Sequence, residues 1–138
     1  MQTKATTQTI SSIVSGTGKF LPEKVITNSY FESYLETSDE WITDRTGIKE
    51  RRWADEGVTV SMLAESAAKD AISNAGLNAN DIDGIIFATV SPDHVFPSSA
   101  CVLQSRLGIA SALAFDINAV CSGFIYAFLL RSEERRVG

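Results

Sequence analysis

A chain of 138 residues is long enough for one core, and a domain of that size buries about two-thirds of the surface its unfolded form exposes. With 44% hydrophobic and 21% charged residues it has the composition of a soluble globular protein, and a net charge of −5 argues against nucleic acid as a partner. No apolar stretch reaches the roughly 20 residues needed to span a membrane.

Residues 1–12 read as a polar, Thr-rich N-terminal extension with no apolar signal-peptide core. The two cysteines, Cys101 and Cys121, fall in no metal-ligand spacing, so no metal site is expected and a reducing cytoplasm is the expected compartment. Ser12 to Phe20, with Gly16 and Gly18, reads as a strand running into a turn. Thr27-Asn28-Ser29 offers caps for a short helix over Tyr30 to Leu35, with Ser29 and Glu32 spaced as a capping box. Thr37 is the expected cap of a second helix whose first turn is acidic (Asp39, Glu40) and which Gly47 ends.

From Thr59 a helical period is clear. Val60, Leu63, Ala64, Ala67, Ala68, Ala71, Ile72 and Ala75 share one face, and Gly76 closes the helix. So many alanines predict close packing against a flat surface. The apolar run Ile82 to Val90 predicts a strand covered on both faces. Pro97-Ser98-Ser99 opens a further helix with Ala100, Leu103, Gln104 and Leu107 at helical spacing, on which Cys101 reads as a core cysteine, and Gly108 ends it. A strand over Ala112 to Ile117 follows, then Cys121, then a helix from about Ser122 whose Phe124 to Leu130 has a buried pattern. Residues 131–138 turn abruptly charged and read as an atypical tail that raises the question of non-native origin. Strands alternating with helices predict an α/β fold with a mainly parallel sheet and helices on both faces.

In this layout Cys121 lies just past a strand and at the start of a helix. A helix N-terminus favours a thiolate, the reactive form of cysteine, so Cys121 is a candidate nucleophile for acyl transfer. The alternative is a structural cysteine in an apolar run. Gly16-x-Gly18 lacks a third glycine and a following helix start, which excludes a dinucleotide-binding fingerprint.

Three segments agree in order and spacing: Thr37-Ser38-Asp39-Glu40-Trp41-Ile42 with Arg45-Thr46-Gly47-Ile48, then Ala88 to Cys101 through His94-Val95-Phe96-Pro97, then Asp116 to Phe124 around Cys121. Together they resemble the ketoacyl synthase III branch of the thiolase-like condensing enzymes. The resemblance extends over residues 13–130, as the N-terminal part of a thiolase-like domain without its C-terminal half. It implies an acyltransferase that condenses an acyl-CoA, acetyl-CoA foremost, with malonyl-ACP through an acyl-Cys121 thioester, initiating fatty-acid synthesis.

By the same resemblance, Cys121 is the nucleophile, and its own backbone N–H belongs to the oxyanion hole. Trp41 stacks on the adenine of coenzyme A, Arg45 lies near its phosphates and ribose, and Thr37 makes a polar contact to the nucleotide. Phe96 crosses a homodimer interface to line the partner's acyl pocket, and His94 is not the catalytic histidine. The implied partners are acyl-CoA and acyl carrier protein, with no cofactor beyond the coenzyme A thioester. The family's catalytic His and Asn fall in the half this chain does not include, so the chain alone is expected to be inactive in condensation and marginally stable. Alternatives are a condensing enzyme of quinolone, polyketide or ester synthesis, or an inactive truncated fragment.

Overall fold

The computed structural model describes residues 13–133; the polar extension over 1–12 and the last five residues of the charged tail lie outside them. Two small sheets organise these residues. β1 (Lys24–Thr27) and β2 (Glu50–Trp53) pair antiparallel, with Lys24 opposite Trp53 and Thr27 opposite Glu50. The helices α1 (Asn28–Glu32) and α2 (Asp39–Thr46) lie between them in sequence. α3 (Val60–Asn74) leads into β3 (Gly84–Ala88), and α4 (Ser99–Arg106) leads into β4 (Leu113–Ile117), which pairs parallel to β3 with Ala88 opposite Ile117. α5 (Gly123–Glu133) follows.

Strand alternation explains how helices come to cover both faces of the parallel pair. Phe87 is buried with Ala100 and Leu103 of α4, and Ile85, Ala114, Val60, Ala64, Ala68 and Leu107 pack around them. Ala88 points the other way and meets α5, where a Cβ built on Gly123 would lie 3.1 Å from that of Ala88. The α/β expectation therefore holds, with an antiparallel ribbon beside the parallel pair.

The alanine face of α3 packs as its period predicts, and Gly76 ends the helix at φ 68°. What covers part of it is a backbone. Ser12 of the segment predicted as a strand over Ser12 to Phe20 lies outside the described residues, and residues 13–20 pair with no strand among the described residues. They run antiparallel along α3 instead, held by Lys19 N–H to Asp70 (3.1 Å) and Asn74 Nδ2 to the Thr17 carbonyl (2.9 Å). Small residues on both sides allow this: a Cβ on Gly16 would come within 2.5 Å of the Ala71 carbonyl oxygen.

Several local expectations yield to longer-range partners. Ser29 and Glu32 form no capping box, because α1 starts at Asn28 and Glu32 instead accepts from the Asp39 N–H of α2. Ser38, not Thr37, caps α2, accepting from Trp41 N–H at 3.0 Å. Cys101 is exposed rather than core: the buried face of α4 is Ser99, Ala100 and Leu103, and Cys101 lies off that stripe with its thiol near the Ala114 carbonyl. The apolar residues of α5 are open as well, Phe124 by 74% and Ile125 by 56%, since among the described residues the helix meets mainly β3 and the turn before it.

Two carboxylates tie the parallel unit together. Asp116 of β4 accepts the N–H groups of Ser99 and Ala100, both at 2.8 Å, at the start of α4, while the Ser98 hydroxyl accepts from Cys101 N–H. Asp93, in the loop after β3, accepts from Ser61 N–H at 3.1 Å in the first turn of α3, where Thr59 provides no side-chain cap. Burial pushes the Asp93 carboxyl up, but hydrogen bonds from the Ser61 hydroxyl and N–H, the Thr59 hydroxyl and the Val60 N–H outweigh it and hold the group below its usual value of 3.8.

A carboxyl depressed on folding stabilises the fold above its unfolded pKa, and the contribution is lost as pH falls through the folded value. Asp93→Asn is therefore expected to cost about 1 kcal/mol at neutral pH. The gap from the unsubstituted chain should stay level above about pH 5 and narrow below 3.8 in denaturant unfolding. A gap independent of pH contradicts the charge's role.

Candidate functional site

β3 and β4 run parallel, so the loops leaving their C-terminal ends emerge on the same edge of the sheet, the usual place for reactive groups in such sheets. One loop carries Cys121 and the other carries His94, Val95 and Phe96. Thr89 N–H to the Ile117 carbonyl (3.1 Å) extends the ladder one step beyond both strands and fixes the two loops side by side.

Cys121 is exposed in a 3-10 turn, Val120–Ser122, that feeds directly into α5. Two features shape this turn. Val120 has φ 47°, a left-handed conformation that a β-branched residue rarely adopts and that costs on the order of 1–3 kcal/mol. Gly123 is buried and its close approach to Ala88 seats the start of α5 on β3. The N–H groups of Ser122 and Gly123 bond back to the carbonyls of Ala119 and Val120. The thiol thus projects from a sharp strand-to-helix turn held from both sides.

Phe96 is 88% exposed and Val95 fully so, on a loop whose base is closed by Asp93 and Ser99. His94 is exposed on the same loop. The Phe96–Pro97 peptide is cis.

Thr37, Trp41 and Arg45 lie on the antiparallel unit. Thr37 and Trp41 line one cavity of about 400 Å³ with Phe31, Leu35, Glu36, Ile42 and Arg51. Trp41 is half exposed, and the Arg45 guanidinium lies 4.8 Å from its ring centroid, one helical turn along α2. The Thr37 hydroxyl is buried with no hydrogen-bond partner among the described residues. Since Ser38 takes the capping role, helix capping no longer accounts for Thr37, and an unsatisfied hydroxyl beside a cavity is suited to a ligand. An aromatic plane, a hydroxyl and nearby guanidinium groups on a wall that is apolar apart from these and Glu36 match a heteroaromatic ligand with anionic groups.

Two contributors escaped sequence reasoning. Asn28, completely buried, enters there only as a cap candidate and Arg51 is given no role, because their partners lie 11 to 23 residues away. Among the described residues no group of His, Cys, Asp and Glu forms a metal-binding cluster, and no helix is long and apolar enough to cross a membrane.

No family model matches the chain. Individual relatives do. It is 54% identical over 116 residues to the beta-ketoacyl-(acyl-carrier-protein) synthase III of Ehrlichia canis, covering 84% of this chain and 36% of that protein. The crystal structure of 3-oxoacyl-(acyl-carrier-protein) synthase III from Aquifex aeolicus superimposes with a TM-score of 0.84 at 49% identity, over 88% of this chain and 39% of that one. The priming beta-ketosynthase of the R1128 polyketide pathway matches at 29% identity with a TM-score of 0.81, over 85% of this chain and 35% of that one. The chain thus spans well under half the length of the relatives it matches. By sequence and by fold, it belongs with the beta-ketoacyl-(acyl-carrier-protein) synthase III family, as the counterpart of its N-terminal part.

Proposed function

We propose that this chain carries the acyl-accepting half of a beta-ketoacyl-ACP synthase III reaction. An acyl-CoA, acetyl-CoA foremost, is held by its nucleotide in the Trp41 cavity, with Thr37 and Arg45 as polar and cationic contacts. The Cys121 sulfur, as thiolate, attacks the thioester carbonyl. The tetrahedral oxyanion is met by the Cys121 N–H at the head of the turn. Collapse breaks the carbon–sulfur bond to coenzyme A, which leaves as its thiolate, and the acyl group remains on Cys121. In the second half, malonyl-ACP loses carbon dioxide, and the resulting carbanion attacks the Cys121 thioester. That step yields 3-oxoacyl-ACP, frees the cysteine and initiates fatty-acid synthesis. The resemblance assigns that second step to a histidine and an asparagine of the family's C-terminal half, and the acylation step is what is proposed for these 138 residues.

The observation that supports this reading most is the exposed thiol at the C-terminal end of a parallel strand, on a turn shaped by left-handed Val120 and by Gly123 against Ala88. The reaction as proposed runs in the cytoplasm, needs no cofactor beyond the coenzyme A thioester and uses acyl carrier protein as partner. Phe96 then serves a homodimer in which it lines the partner's acyl pocket, in keeping with its exposure. Similarity to a polyketide-priming ketosynthase favours a second reading with the same cysteine chemistry and a different starter or acceptor.

The test is release of free coenzyme A from acetyl-CoA by the full chain. The expected result is a burst approaching one equivalent per chain, absent in Cys121→Ala. An equal burst from Cys121→Ala overturns the assignment.

A further inference from the structure

We propose that Arg51, fixed by the buried Asn28, is a further ligand contact of the Trp41 cavity and grips a phosphate of the bound coenzyme A. The inference rests on the reading of that cavity as the nucleotide site and adds to it a residue pair that no sequence motif assigns.

Asn28 is completely buried, and its amide is fully committed. Its Nδ2 donates to Asp39 Oδ1 at 2.8 Å and to the Ile48 carbonyl at 2.7 Å, with Thr43 Oγ1 at 3.4 Å. Its Oδ1 accepts from an Arg51 terminal nitrogen at 2.7 Å. With one end of the guanidinium fixed by an immobile amide and its carbon 4.8 Å from the Phe31 ring centroid, Arg51 has little rotamer freedom left.

Its charge, however, is not neutralised. Among the described residues Arg51 has no carboxylate within ion-pair distance, although Glu36 lines the same cavity. Arg52 next to it, on the opposite face of β2, shows the ordinary surface pattern: it pairs with Glu50 and donates to the Glu23 carbonyl. A half-buried, oriented guanidinium with a neutral partner and spare N–H donors, on the wall of a cavity, is suited to an oxyanion, and phosphate matches its fork. The unpartnered Thr37 hydroxyl in the same cavity leaves a second polar group for the ligand.

The test is calorimetric binding of coenzyme A and dephospho-coenzyme A to the full chain and to Arg51→Gln, Arg51→Lys and Trp41→Ala. Arg51→Gln keeps a donor for Asn28 and is expected to weaken coenzyme A about tenfold or more and to flatten the salt dependence of binding. Arg51→Lys should recover part of the loss, which a purely structural role would not predict. If dephospho-coenzyme A is weakened equally, the contact is to the diphosphate; if it is spared, to the 3′-phosphate. Binding by Arg51→Gln within twofold, or with unchanged salt dependence, overturns the inference. Should Trp41→Ala lose affinity while Arg51→Gln does not, the cavity assignment stands and the Arg51 role falls. Should Trp41→Ala bind coenzyme A normally, the cavity assignment falls, whatever Arg51→Gln does.

Discussion

Gly18→Ala is expected to destabilise the chain by about 3 kcal/mol or more, a large effect for the addition of one methyl group. A Cβ at this position overlaps the Ala67 carbonyl oxygen and the Ala71 amide nitrogen of α3. Both are helix backbone atoms, which cannot swing aside as a flexible side-chain end does. Accommodation therefore requires moving the 13–20 segment off the helix. Such a movement breaks the Lys19–Asp70 and Asn74–Thr17 hydrogen bonds and uncovers the alanine face. Denaturant unfolding gives the cost directly. Ser15→Ala, exposed on the same segment, is the control and should stay within about 0.5 kcal/mol. A Gly18→Ala chain as stable as the control contradicts this packing.

Asp116→Ala is expected to cost about 3 kcal/mol. Its two oxygens satisfy the first two amides of α4, and both Ser99 and Ala100 are completely buried, so water cannot replace the lost acceptor. Ser98→Ala removes only the cap on Cys101 N–H and should cost about 1 kcal/mol. The ranking, Asp116 well above Ser98, is the diagnostic result. Faster amide hydrogen exchange at Ser99 and Ala100 should accompany it. Equal costs for the two substitutions refute the double cap. Because β4 also delivers Cys121, loss of Asp116 loosens both the Phe96 loop and the strand that leads to the thiol.

What could be read from the sequence was what local periodicity and caps determine. The 3.6-residue spacing from Val60 to Ala75, the Gly76 and Gly108 stops, and Ser98 at the head of α4 all recur in the structure. So do the apolar runs that become β3 and β4. Legibility ended where a residue's partner is distant along the chain. Ser29 and Glu32 have the spacing of a capping box, yet Glu32 reaches forward to Asp39. Thr59 has no cap bond because Asp93, 32 residues from Ser61, supplies the acceptor. Gly16 and Gly18 looked like turn residues and are sites of close contact between backbone and helix.

The site divides in the same way. Thr37 and Trp41, in one of the segments that carry the family resemblance, were singled out together by it, and both line one cavity. Asn28 and Arg51 join that neighbourhood only through the pairing of β1 with β2. The left-handed backbone at Val120 has no signature at all in a residue type that ordinarily avoids it.

The most direct test of the central claim is to incubate the full chain with acetyl-CoA and locate the added mass by peptide mapping. The account predicts a single acetyl group on the Cys121 peptide, none on Cys101, which is also exposed, and loss of the modification in Cys121→Ala. Acetyl on both cysteines in equal measure, or labelling that persists after Cys121→Ala, would contradict it.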